Sequence, residues 1–238
     1  MNAPPTDATP RDPSAAPTAP PASPAKVKPR LRGVSHEIAF YFAIAGTIVL
    51  TMAAEPGLKT TAALIYGLSI VTLFGTSALY HRPMWSPVAR ARLRKADHAA
   101  IFVLIAGSYA PLGLVALPPD AGTRLLAFAW GGCALGLLKA LFWAHAPRWV
   151  TAASYILVGW AAAVEWTAMG EALGTMRAGL IGLGGVCYSV GAIIYARKRP
   201  DPVPHVFGYH EIFHALVILA AFIHFAALGS VVLGGDTP

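Results

Sequence analysis

Charge is scarce in this chain. Asp, Glu, Lys and Arg make up 12% of its 238 residues, against 56% hydrophobic side chains and a mean hydropathy of +0.58; a soluble domain carries about 25% charged residues. Such a balance excludes an ordinary soluble fold and points to an integral membrane protein. Cysteine is scarcer still: Cys133 and Cys187 fall inside apolar runs without metal-ligand spacing, which excludes a disulfide framework and a thiolate metal site. No short apolar segment with a small-residue cleavage site stands near the start, so no cleaved signal peptide is expected. The net charge of +7 would suit nucleic acid, but Lys and Arg lie in short segments between apolar runs rather than along one soluble face. Nucleic acid is therefore not an expected partner, and the basicity reports membrane orientation.

What the chain does contain is greasy segments of nearly uniform length. Residues 1–33 form the exception, a Pro/Ala-rich basic tail holding nine of the twenty prolines in its first 30 positions, a composition that builds no packed core and predicts disorder. From residue 34 to 238 a single transmembrane domain is expected. Its apolar runs lie at about 38–54, 61–80, 99–117, 125–143, 149–168, 178–196 and 210–233, most of them near the ~20 residues a helix needs to cross the hydrocarbon core. The connections, such as 55–60 and 144–148, are short, so consecutive helices should be antiparallel neighbours. The prediction is an all-α, polytopic membrane protein, a seven-transmembrane helix bundle. Fifteen of the 18 Lys and Arg residues fall on one side of that topology, the exceptions being Lys59, Arg124 and Arg177. The asymmetry predicts a cytoplasmic N-terminus and an outside C-terminus.

Polar residues then stand out by position. His210 and His214, in the run His-Glu-Ile-Phe-His, are one helical turn apart on one face, so their rings can share a metal ion. His81 closes the second run, and Asp97 opens the third after a basic, proline-containing loop. Four crossings separate Asp97 from His210, an even number, which brings all of them to one membrane face whatever the absolute orientation. Ser77, at i−4 from His81, sits one turn deeper on the same helix face. Three neutral imidazoles with a fourth position left to water make the composition of a catalytic zinc site, with Asp97 and Ser77 placed to bond that water or orient a ligand.

The Ser77-x3-His81 spacing, the stretch from Asp97-His98 to Ala106-Gly-Ser-Tyr-Ala-Pro111, Gly184-Gly-Val-Cys-Tyr-Ser-Val-Gly-Ala192, and Phe207-Gly-Tyr-His-Glu-Ile-Phe-His214 together resemble the bacterial haemolysin III proteins, which belong with the progestin and adiponectin receptor family. The resemblance runs from about residue 34 to 233. It implies seven helices, a cytoplasmic N-terminus in the bacterial inner membrane, and Zn2+ held near the cytoplasmic side by His81, His210 and His214, with Asp97 and Ser77 beside it. Because the wider family includes ceramide-hydrolysing members, it also implies a zinc-dependent hydrolase of lipid amide or ester bonds, with membrane lipid as substrate. Two other classes stay open: a membrane-perturbing, haemolytic protein and a non-catalytic, receptor-like regulator with structural zinc. The first segment fits the family less closely, because His36-Glu37 precedes a run that departs from the pattern expected there, and no role is assigned to His36.

His-Glu-x-x-His is also the zinc helix of metalloproteases, with the glutamate as general base. Against that, Asp236 lies 22 residues beyond His214, roughly a membrane thickness away, and Asp120 falls on the opposite side. Glu211 is therefore expected to be a structural or surface carboxylate. His98 points about 100° from Asp97 on a helix and is left out of the metal shell. His224 is expected to line a cavity or bond a carbonyl, Glu165 and Lys139 to lie near span ends, and His145, His205 and Asp201 to lie in loops without a role.

Overall fold

The computed structural model describes residues 29–203 and 205–234. The expectations for residues 1–28 and Asp236 lie outside them. Within the described residues the regular structure is helical: α1 (Val34–Ala53), α2 (Leu58–His81), α3 (Pro87–Ser108), α4 (Pro119–Phe142), α5 (Arg148–Gly159), α6 (Trp166–Arg197) and α7 (Tyr209–Leu233). A π-helical turn, Leu112–Ala116, follows α3, and a 3-10 turn, Ala161–Glu165, joins α5 to α6.

Helix starts follow local chemistry. Pro87 occupies the first turn of α3 and the Ser86 hydroxyl accepts from Ala89 N–H at 3.3 Å, an N-cap pattern. The basic stretch Arg90–Lys95, expected in a loop, is therefore helical: Arg, Lys and Ala are good helix formers, and the cap lies upstream of them. Pro119 likewise occupies the first turn of α4, there without a side-chain cap. At α7 the Glu211 carboxylate reaches back to Gly208 N–H, 3.0 Å, satisfying a donor the first turn would leave open.

Six helical segments are long and apolar enough to cross a membrane, and the longest of these runs 50 residues, Arg148–Arg197. That one is a hairpin. Gly174 has φ 76 and ψ 162, a left-handed break that favours glycine. On either side of it the Trp166 ring lies against Gly182, and Trp160 Nε1 donates to Ser189 Oγ at 2.9 Å. Residues 16 apart on one straight helix would stand about 24 Å apart, so the two arms run side by side. Consecutive helices pack against each other, and α7 closes the arrangement against α1 and α2.

The interior is filled by Tyr66, Phe102, Leu112, Leu125, Met169 and Leu228, all below 2% exposed, while Phe42, Leu135, Leu157 and Phe222 point outward at 69–74%. Large apolar side chains facing out on several helices suit hydrocarbon, not water.

Candidate metal centre

The contact of α7 with α1 and α2 builds the site. His81 is the last residue of α2, His210 and His214 occupy the first turns of α7, and their ring centroids lie 4.7 Å (81–210), 5.2 Å (81–214) and 4.5 Å (210–214) apart. One nitrogen from each ring lies within 4.8 Å of the other two, a group that could hold a metal ion. His81 Nε2 and His210 Nε2 are 3.2 Å apart. Two nitrogens on a tetrahedral ion at metal–nitrogen distances of about 2.0–2.1 Å are separated by roughly 3.3 Å, so this edge already has the required length.

Asp97 enters from α3. Its Oδ2 is 3.8 Å from His81 Nε2, and its carboxylate also faces the Ser77 hydroxyl. Ser77, 2% exposed on α2, is bound to His36 Nδ1 at 2.8 Å. The structure thus brings together His81, His210, His214, Asp97 and Ser77.

His36 is the residue that sequence reasoning missed. It is 2% exposed and stacks on His214 with centroids 3.8 Å apart and planes 6° from parallel. Its Nε2 is buried without a hydrogen-bond partner. The signal was the parity argument itself, because the start of α1 shares a membrane face with the end of α2. Just before it, Gly33 adopts φ 81, and a Cβ there would fall 2.6 Å from His81 Cβ. Only glycine lets the chain pass this close to the histidine.

Glu211 points away from general-base work. It is 5% exposed, receives Arg32 Nε at 2.5 Å and caps α7, a structural role and not a surface one. The pair ties residues 29–33 to α7, helped by Arg30 N–H donating to His205 O at 3.0 Å. A cavity of about 990 Å³ opens beside the histidines and runs into the bundle along Leu104, Leu112, Ile181 and Leu228. His98 lines it, as do His145, His205 and Asp201, for which the sequence offered no role. His224 both lines it and approaches Ile181 O at 3.0 Å. Glu165 and Lys139 are satisfied elsewhere, by Arg124 (2.9 and 3.2 Å) and by Thr151 and Ser154 (2.8 and 3.4 Å).

The fold and site define a polytopic helical membrane protein with a three-histidine candidate metal centre beside a cavity within the helix bundle. A family model described as haemolysin-III related matches residues 25–225. The chain is 30% identical over 190 residues to Hemolysin-3 of Bacillus cereus, covering 78% of this chain and 83% of the relative. To the Hemolysin-3 homolog of Bacillus subtilis it is 30% identical over 154 residues, covering 65% and 69%. It is 27% identical over 202 residues, 82% and 80%, to the human monocyte to macrophage differentiation factor. The chain belongs to the haemolysin III family, within the progestin and adiponectin receptor superfamily.

Proposed function

We propose that this protein is a zinc-dependent hydrolase of lipid acyl-amide bonds, ceramide-like amides or the corresponding esters, acting within the bacterial plasma membrane. The observation that carries this reading is the meeting of three histidine nitrogens and the Asp97 carboxylate at the wall of a large cavity whose inner part is apolar. An all-nitrogen, three-residue donor set without thiolate is the composition of an open zinc site rather than a closed structural one. Bound there, zinc would supply Lewis-acid polarisation of a carbonyl and activation of water.

The residues around it divide the remaining work. Asp97 Oδ2, 3.8 Å from His81 Nε2, takes the proton of the attacking water and returns it to the leaving nitrogen. With its proton on Nδ1, His36 donates to Ser77 Oγ, which leaves the serine proton for the carbonyl oxygen as charge develops there. Stacking on His36 fixes the plane of the His214 ring. The apolar lining accepts the acyl chain and keeps bulk water out.

This reading takes each arm of the Gly174 hairpin as one crossing, seven in all, with the N-terminus cytoplasmic. The basic residues gathered at the metal-centre end support it, among them Arg90, Arg92, Arg94 and Lys95. The test is zinc content and lipid hydrolysis by the purified protein and its His214→Ala variant, with both lost in the variant. Zinc-loaded protein that leaves every acyl-amide and ester lipid intact would refute the enzyme. The name of the Bacillus cereus relative supports a second reading, membrane perturbation; dye leakage from liposomes that persists in His214→Ala would favour it.

A further inference from the structure

The cavity-facing stripe of α3 is graded along its length. Arg90, Arg94, Asp97, Ile101, Leu104 and Ser108 all line the cavity, at spacings of three to four residues that keep them on one helix face. Two cations come first, then the carboxylate at the histidines, then an apolar run. At 1.5 Å per residue, Arg94 and Arg90 stand about 5 and 10 Å above Asp97, and Ser108 about 16 Å below it.

Three of the cations at this rim meet no carboxylate among the described residues. Arg32, Arg82 and Arg124 each meet a glutamate within 2.5–2.9 Å. Among the described residues, Arg90, Arg94 and Arg148 meet no carboxylate within 4.0 Å. Arg94 donates to Ala144 O at 2.5 Å, and Arg148 donates to Tyr209 Oη at 3.1 Å while lying over the Tyr195 and Tyr209 rings, 5.3 and 5.8 Å from their centroids. Tyr195 in turn lies 5.8 Å from the His210 ring, which joins this cationic rim to the histidines. The nearby carboxylate, Asp201, is taken up by Tyr209 N–H at 3.3 Å.

We propose that Arg94 and Arg148, with Arg90 outside them, bind the anionic head group of an acyl lipid, a phosphate monoester or comparable oxyanion placed about 5–10 Å from the bond that reaches Asp97. The proposal names the substrate class of the hydrolase read above and rests on that reading for the placement of the acyl chain. A neutral amide fills the apolar part of the cavity and leaves the arginines facing water. An anionic one engages both ends.

The experiment measures binding to the full-length, zinc-loaded protein in nanodiscs of uncharged lipid. Its probes are N-oleoylethanolamine, the phosphate monoester of the same molecule, and inorganic phosphate. The monoester should bind about tenfold or more tightly than the neutral amide, and inorganic phosphate should compete only weakly. In Arg94→Gln/Arg148→Gln the preference should fall to within about twofold, and in Arg94→Lys/Arg148→Lys much of it should return, with zinc content unchanged in both. Equal affinity for the two amides overturns the proposal. So does a preference that persists in a metal-loaded Gln variant, or inorganic phosphate binding as tightly as the lipid. Cleavage is read in parallel. Preference without cleavage counts against the hydrolase and leaves the head-group site standing, whereas cleavage without preference refutes the head-group site alone.

Discussion

The two ends of the helix bundle differ in which polar groups they gather. At the end away from the histidines, two charged pairs close locally. Arg124 forks onto Glu165 at 2.9 and 3.2 Å, and Lys59 bonds both Glu55 and the Gly234 carbonyl at 2.9 and 2.8 Å. At the histidine end Arg32 and Arg82 also meet glutamates, but the rings face one another, His36 Nε2 has no hydrogen-bond partner, and among the described residues Arg90, Arg94 and Arg148 meet no carboxylate within 4.0 Å. Thr51 Oγ1 and Tyr66 Oη, outside the histidine cluster, are also buried without a hydrogen-bond partner, so what sets the histidine end apart is three imidazoles meeting at one point.

Substitutions can break or sharpen that contrast. Asp97→Asn should keep the metal and lower lipid hydrolysis by about 10²-fold or more, measured as turnover at matched zinc occupancy; unchanged turnover would remove Asp97 from proton transfer. His36→Ala withdraws the support of Ser77 and of the His214 ring, and should weaken metal affinity or turnover by about 10–100-fold, read by competition with a chelator. Arg32→Ala leaves the buried Glu211 with only its cap and should lower stability by about 1–3 kcal/mol, seen in a denaturation series. Arg124→Gln, at the end away from the histidines, should lower thermal stability without changing metal affinity. Loss of metal in this last variant would show that the two ends are not independent.

Much of this architecture was legible from apolar run length. The run predicted at 61–80 became α2, Leu58–His81, and that at 210–233 became α7, Tyr209–Leu233. The histidines came from two simple signals, an i, i+4 pair and the parity of crossings. Other features were hidden for physical reasons. His36 sits next to an unremarkable apolar run, and its burial comes from tertiary packing, on His214, Phe74 and Ser77. The helicity of Arg90–Lys95 was masked by reading a charged stretch as a loop, although Ser86-Pro87 announces a helix start. The 3-10 turn at Ala161–Glu165 lies within apolar sequence that carries no punctuation. In the sequence alone the rim arginines signal only orientation. Only the helical spacing of Arg90 and Arg94 to Asp97 shows that they share its face.

The central claim is that α2 and α7 share one metal. The most direct test is the zinc content of the purified full-length protein beside that of its His81→Ala variant. About one zinc per chain in the first and little in the second is the expected result. Equal zinc in both, or none in either after refilling with zinc, would contradict it.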